Sequence, residues 1–436
     1  MEALITPRRA LSGRATWMLA ASLAAICLAH GCSRRTELSF SPRAELGQLP
    51  EKHQRQIATF LQDYFGSPAT PRFLLPVSAL PESSMSHADL RHADASHADA
   101  SPSGASDAGA NWDQLRLVDH PEWNRAKLRQ GAEVYQRQCA ACHGVTGDGQ
   151  GPAGQYLNPP PRDYRLGRFK FTSTPRGEKP RYEDLARILR RGAKGTSMPS
   201  FRWLPDDELD AVIGYVMLLS SRGEMELQLL REAENELEEA DDLSAEVVAG
   251  YATRVYESWR DAAGKLVNPA TTEPLASSDT IRSGAKAFIE LNCFKCHGKD
   301  GRGNKAFNVG KDDWGRTAYA ADLTSGMLHG GRRPVDIYRR IYLGINGTPM
   351  PAFDQPDATK GETAEQRSET IWHLVHFVTS IVEGKPLPND VIEETLRALP
   401  NPGAEQPAPV EPAPAEPAPG KTEIEKPETA SPEKGG

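Results

Sequence analysis

Four cysteines and two histidines occur in the same short pattern twice, as Cys139-Ala140-Ala141-Cys142-His143 and Cys293-Phe294-Lys295-Cys296-His297. Cys-x-x-Cys-His is the pentapeptide that attaches haem covalently. The two thiols add across the haem vinyl groups, and the two spacer residues let both sulfurs face one porphyrin edge. The histidine that follows directly then sits under the iron as the proximal ligand. Cysteine is scarce, with 6 in 436 residues, so two such pentapeptides leave little room for coincidence. A redox dithiol, a structural disulfide or a zinc site are the plainer readings of paired cysteines. Zinc would need both pairs to share one ion, and the adjacent histidines and the long interval between the pairs fit that poorly. The expectation is two covalently bound haem c groups, held by Cys139 and Cys142 and by Cys293 and Cys296, with His143 and His297 as axial ligands.

Each iron then needs a ligand on its other face, and in electron-carrying c-type haem proteins this is usually methionine, which raises the reduction potential. Gly195-Thr196-Ser197-Met198-Pro199-Ser200-Phe201 and Gly347-Thr348-Pro349-Met350-Pro351-Ala352-Phe353 share Gly, Thr, Met, Pro and Phe in register. Met198 follows His143 by 55 residues and Met350 follows His297 by 53. Gly before and Pro after the methionine suit a rigid loop. With only 8 methionines in the chain, matched loop positions favour axial ligation by Met198 and Met350 over two side chains that merely fill a core.

Helical elements must bring these residues together. Asn124 to Tyr135 precedes the first pentapeptide, with Gly131 and Tyr135 one turn apart; Thr280 to Phe288 precedes the second, with Gly284 and Phe288 at the same spacing. A second helix follows each methionine loop, near Asp206 to Leu219 and near Ala364 to Ile381. The acidic start of the former suits a helix N-terminus. A small residue in the first helix of each pair lets an aromatic of the last approach closely.

Pentapeptide, methionine loop and terminal helix pair together resemble class I cytochrome c, twice over, across roughly Asp113 to Arg222 and Ser277 to Gly384. The resemblance implies a mostly α fold: two tandem class I cytochrome c domains joined by a helical linker, each wrapped around a haem with one edge near solvent. Asn158-Pro159-Pro160-Pro161 resembles the family's proline segment, whose carbonyl orients the proximal histidine. Tyr319-Ala320-Ala321-Asp322-Leu323 takes the comparable place in the second half without proline, which leaves the orientation of His297 open and implies unequal haem potentials. The expected division is 1–32 signal peptide and lipid-anchor region, 33–80 a segment with a short helix, 81–110 a low-complexity linker and 111–222 the first cytochrome domain. An acidic helical linker at 223–276, the second cytochrome domain at 277–385 and a Pro/Ala/Glu-rich disordered tail at 386–436 complete it.

The N-terminus carries Arg8, Arg9 and Arg14 and then an apolar run from Ala15 to Ala29, a secretory signal or single anchor that is short for a membrane span. Leu28-Ala29-His30-Gly31-Cys32-Ser33 resembles a bacterial lipobox, with Cys32 as the lipidated residue and His30 a poor fit. An uncleaved anchor, with Cys27 a member of the apolar run, is the alternative. Arg8-Arg9 could signal twin-arginine export, but haem is attached after translocation and suits an unfolded route better. Either way the haem domains face the extracytoplasmic side of a bacterial membrane. Glu51 to Tyr64 places Ile57, Phe60, Leu61 and Tyr64 on one stripe and is expected to dock on a haem domain or a partner. His87-Ala88-Asp89 and its two copies at 92–94 and 97–99 read as a solvated linker, with weak metal binding as the other possibility.

The net charge of -8 gives no support for nucleic-acid binding. Arg162, Arg165, Arg168 and Lys170, then Arg187, Arg190, Arg191 and Lys194, and in the second half Arg332, Arg333, Arg339 and Arg340, form basic clusters. They are read either as a solvated face or as a rim that steers an acidic redox partner. The functional expectation is a membrane-tethered di-haem electron carrier between a quinol-oxidising complex and a terminal oxidase or reductase, with redox proteins as donor and acceptor, no small-molecule substrate and no catalytic residue. A di-haem enzyme, such as a cytochrome c peroxidase or a sulfur-compound oxidase, is the alternative. It needs one iron that opens to substrate, and His373 or His376 would be the substitute ligands for Met350 in such a switch, unless they are surface residues.

Overall fold

The computed structural model describes residues 38–79, 115, 117–303 and 308–399. The calls on Arg8, Arg9, Cys27 and Cys32, on the His-Ala-Asp repeats and on the Pro-Ala-Glu run lie outside them. The described chain is mostly helical. It runs through α1 (Glu51–Phe65), the short strands β1 (Leu74–Pro76) and β2 (Leu117–Asp119), α2 (Arg125–Gln138), α3 (Ala140–His143), α4 (Tyr182–Arg191), α5 (Asp206–Asn235) and α6 (Ala245–Ala262). It continues through α7 (Ser278–Glu290), α8 (Cys293–His297), α9 (Pro334–Tyr342), α10 (Ala364–Val382) and α11 (Asn389–Ala398). Among the described residues no helix is long and apolar enough to cross a membrane. Two compact units divide the chain, and they interleave in sequence: one comprises residues up to Gly167 with Phe201–Asp261, the other Arg168–Ser200 with residues from Ala262 onward.

In the first unit α2 packs across α5. The crossing is closed by Gly131, where an added Cβ would lie 2.1 Å from the Ala211 carbonyl oxygen and 3.0 Å from the Tyr215 Cβ. Only glycine allows backbones this close. Asn124 caps α2 by accepting from the Lys127 amide at 3.0 Å. Asp206, Asp207 and Glu208 open α5 at its positive end. α5 does not stop at Leu219 but continues unbroken to Asn235, so the acidic segment that follows the predicted helix is its extension. That extension is not a solvated face throughout. Glu226 is fully buried, accepts from the Arg43 amide at 3.0 Å and lies 3.6 Å from the Arg222 guanidinium.

α1 docks on this same unit. Its stripe of Ile57, Phe60, Leu61 and Tyr64 is buried. Gln56 is fixed on both ends of its amide, donating to Asp242 at 2.6 Å and accepting from the Leu243 amide at 3.2 Å. The antiparallel ribbon Leu74↔Asp119, Leu75↔Val118 and Pro76↔Leu117 then ties the segment to the start of the first cytochrome half.

The second unit repeats the crossing with α7 and α10. A Cβ on Gly284 would lie 2.0 Å from the His373 carbonyl oxygen and 2.8 Å from the Phe377 Cβ. Phe288 and Phe377 meet edge to face at 5.3 Å. Capping boxes start both helices, at Ser277 with Thr280 and at Thr363 with Gln366. Residues 386–399, expected to begin the extended tail, instead include α11. Ile392 is buried in the core, and Asp390 takes both guanidinium nitrogens of Arg282. The apolar spacing of Val391, Leu396 and Leu399 around Ile392 is enough to hold one more helix before the Pro-rich composition begins.

His120 follows β2 as a buried connector. Its amide donates to the Phe73 carbonyl at 2.8 Å, and its ring Nδ1 accepts from the Glu122 and Trp123 amides at 3.2 and 3.3 Å. Phe73 and Tyr256 flank the ring at 5.0 and 5.5 Å. Burial lowers its pKa from 6.5 to about 4. The unfolded chain therefore binds the proton first, and the contribution of neutral His120 is complete above pH 6.5 and lost as pH falls toward 4. At one pKa unit per 1.36 kcal/mol, the loss reaches about 3 kcal/mol. Urea unfolding of the wild type and of His120→Asn across this window should show a stability difference that shrinks as pH drops; a difference independent of pH would refute the assignment.

Candidate haem sites

The first pentapeptide begins where α2 ends. Cys139 donates its amide to the Tyr135 carbonyl at 2.8 Å, α3 carries the remaining residues, and Gly144 at φ 75 turns the chain away. Tyr135 locks that turn by donating its hydroxyl to the Gly144 carbonyl at 2.8 Å. His143 is buried, and its ring stacks on Tyr164 at 4.9 Å with 16° between planes. Its Nδ1 is 3.1 Å from the Arg162 carbonyl oxygen. A carbonyl only accepts, so Nδ1 carries the proton and Nε2 keeps its lone pair for a metal.

The second pentapeptide repeats the construction. Gly298 at φ 70 ends α8, and the Gly303 amide returns to the His297 carbonyl at 2.8 Å, as Gly149 does to His143 at 2.9 Å. His297 Nδ1 is 3.1 Å from the Ala321 carbonyl oxygen. The orientation left open by the missing proline is therefore the same in both halves. The acceptor in the first half is Arg162, one residue past the proline run, and the bond needs only a backbone carbonyl at that position. Burial lowers the pKa of both histidines, partly offset by these bonds, which favours the neutral ring that ligation requires.

Among the described residues, Cys139, Cys142, Cys293 and Cys296 form no disulfide. Burial pushes Cys139 and Cys293 up to about 12. A redox-active dithiol needs the opposite shift, toward thiolate, so this environment argues against a thioredoxin-like role. Among the described residues no group of three or more His, Cys, Asp or Glu side chains converges as a metal cluster would require. Two thiols on one edge and an imidazole with a free Nε2 match what covalent haem needs.

The methionine loops share one hydrogen-bonded form. α4 ends at Gly192, φ 68, and the Ala193 amide donates to the Met198 carbonyl at 3.1 Å. Thr196 donates its hydroxyl to the Ala193 carbonyl at 2.7 Å and accepts from the Met198 amide at 3.1 Å. α9 leads to Gly344, φ 68, with Ile345 to Met350 at 3.3 Å, Thr348 to Ile345 at 2.8 Å and the Met350 amide to Thr348 at 3.3 Å. A Cβ at either glycine would sit 2.7 Å from the methionine carbonyl oxygen. The threonine was visible in both heptapeptides, but its part as the clasp of the loop was not. The loops fall in the unit formed by 168–200 and the C-terminal part of the chain, whereas Cys139, Cys142 and His143 belong to the other unit.

The structure divides the basic clusters between internally bonded and exposed cations. Arg187 pairs with buried Asp184 at 2.8 Å, and Arg333 pairs with buried Asp336 at 2.8 Å. Arg339 donates to the Val267 carbonyl at 3.2 Å, and Arg340 donates to the carbonyls of Lys170 and Thr172. Burial lowers the Arg340 pKa to about 10. Arg165 is held by Asp163. These cations bond to the protein's own carbonyls and carboxylates, while Arg168, Arg190, Arg191, Lys194, Arg332 and Arg333 stay exposed. His376 is likewise not a surface residue: it is 5% exposed and its Nδ1 lies 3.0 Å from the Thr280 hydroxyl at the start of α7.

The family described as cytochrome C oxidase, cbb3-type, subunit III matches residues 126–216. No curated protein matches the chain. A solved chain of the reducing HAO-like protein complex of Kuenenia stuttgartiensis is similar at 30% identity, covering 58% of this chain and 96% of that one, with a TM-score of 0.43. With the haem pentapeptide, the oriented histidine and the closely crossed helices, residues 126–216 are a cytochrome c domain, a haem-binding module of electron transfer.

Proposed function

We propose that this chain is an extracytoplasmic di-haem c-type cytochrome, held to a membrane through Cys32, that passes electrons between a quinol-oxidising complex and a terminal oxidase or reductase. The observation that carries this reading is duplication of the whole ligand apparatus. Pentapeptide, carbonyl-held histidine and threonine-clasped methionine loop all occur twice, with hydrogen bonds matching to within a few tenths of an ångström. An enzyme needs one iron that opens to substrate, and the matched methionine loops supply a candidate ligand in both halves. The family matched over 126–216 is named for an oxidase subunit, which fits a fixed electron-transfer subunit as well as a free carrier.

Haem supplies a one-electron couple at iron. Cys139, Cys142, Cys293 and Cys296 tether it and take no part in the redox change. His143 and His297 are fixed in one tautomer by their carbonyl partners, so each offers Nε2 without a proton to move. Met198 and Met350 would hold the haem iron through their thioether sulfurs, on loops whose geometry is set by backbone and threonine hydrogen bonds.

An optical redox titration of the haem-loaded protein should show two low-spin haems, both at high potential and inert to peroxide. Met198→Ala and Met350→Ala should each lower one potential and open one iron to small ligands. One low-potential haem that opens on partial reduction would instead make the protein a peroxidase-type enzyme. Thr196→Val and Thr348→Val remove one clasp each, at a cost of about 1–3 kcal/mol for groups left unpaired. Each should weaken methionine ligation at a single haem, seen as easier imidazole binding; no change would mean the loop holds without its clasp. Cys32→Ser should release the protein from membranes while leaving both haems in place, and continued membrane attachment would favour an uncleaved anchor.

A further inference from the structure

The two methionine loops are alike inside and unlike outside. The Met198 carbonyl takes the Ala193 amide at 3.1 Å. The Met350 loop is gripped from residues that in sequence precede Met198. Arg176 Nη1 donates to the Met350 carbonyl at 2.6 Å, and Nη2 donates to the Thr348 carbonyl at 2.9 Å. Beside it the Gly177 amide donates to Asn346 Oδ1 at 3.0 Å, and Asn346 Nδ2, on a buried side chain, reaches the Thr172 hydroxyl at 3.3 Å. Gly344 leaves the space for this grip, since a Cβ there would lie 2.6 Å from Arg176 Nη1. All these residues belong to one compact unit.

We propose that Arg176 is a positioning residue for Met350, fixing the axial ligand of the second haem through two carbonyls of its loop. The proposal rests on Met350 as that ligand. A planar guanidinium satisfies both carbonyls at once, and lysine, a point donor, cannot reproduce the fork. The fork holds the loop against the swing that would withdraw the sulfur. Its fixed positive charge, next to the ligand residue, disfavours the ferric state and raises the potential. Arg176 and Asn346 together make the second haem's ligand loop depend on a stretch encoded between the first pentapeptide and the first methionine.

The test uses the exported, haem-loaded full chain, with Met350→Ala to identify the second haem's wave in a redox titration. Arg176→Gln should lower that wave's potential and leave the other in place. It should weaken the far-red sulfur-to-iron absorption of the ferric protein, and raise imidazole affinity at the second haem by roughly tenfold or more, the scale of a lost charge-assisted bond. Arg176→Lys should recover part of the potential but not the imidazole resistance, a split that a merely structural role would not give. Equal shifts of both waves, or wild-type behaviour in both variants, would overturn the proposal. If Arg176→Gln fails to load haem, Arg176→Lys decides it: a weakened far-red band with easier imidazole binding supports the fork, and an unchanged band removes it. A Met350→Ala variant that leaves both waves unmoved would instead bring down the ligand assignment, and the proposal with it.

Discussion

The helix crossings at Gly131 and Gly284 are the constraint on which the haem sites depend. In each half the next helix's carbonyl and an aromatic Cβ occupy the place a side chain would take. This contact fixes the angle and depth at which α2 meets α5 and α7 meets α10. The pentapeptides follow the crossing helices at once, with Cys139 capping α2 and Cys293 three residues beyond the end of α7. A shift at the crossing would carry straight into the position of both sulfurs and the imidazole. Tyr135 shows the coupling directly: it stands one turn after Gly131, packs on Tyr215 of α5 at 5.3 Å, and bonds the turn that ends the pentapeptide.

Much of this was legible because it is local or repeated. Pentapeptides, methionine loops and glycine-aromatic spacing are set by residues within one or two turns, and each occurs twice, so each copy checks the other. The helices around Gly131 and Gly284 were legible in the sequence, though each runs two or three residues further toward its pentapeptide than expected. What stayed hidden depends on partners distant in sequence. The carbonyl that orients a proximal histidine has no side-chain signature, so a proline run marked it in the first half and nothing marked Ala321 in the second. Arg339 and Arg340 read as surface charge until the carbonyls of Val267, Lys170 and Thr172 are seen to receive them. His376 reads as a polar helix residue until the Thr280 hydroxyl takes its ring. The strands β1 and β2 were missed because three-residue strands paired across a long interval carry no period of their own.

Sequence repeats and compact units do not coincide here, and the reason is chemical. A stretch such as 168–200 has little apolar surface of its own, apart from Ala186 and its neighbours on α4, and many backbone groups to satisfy. Arg340 meets two of its carbonyls, Asn346 meets the Thr172 hydroxyl and the Gly177 amide, and the Val267 amide donates to the Ser173 carbonyl at 2.8 Å. Arg340 can be buried because these acceptors are fixed in advance; its desolvation, large enough to lower its pKa to about 10, is offset by charge-assisted bonds rather than by a carboxylate at contact distance. Guanidinium suits this use better than ammonium, since it reaches two carbonyls in one plane and is less strongly hydrated.

That choice of residue has a consequence for electron transfer. Arg339 and Arg340 spend their charge on internal carbonyls, while Arg332 and Arg333 remain exposed on the same stretch. Any field projected outward from these clusters comes from the exposed cations, Lys194, Arg332 and Arg333 among them. Arg176, the guanidinium on the Met350 loop, is itself exposed, so the hydrogen bonds of its fork act at contact range while its charge is screened by solvent and salt. Arg176 and Arg340 thus serve to hold backbone carbonyls of other segments, a use of guanidinium that the arginines' positions in the sequence do not reveal.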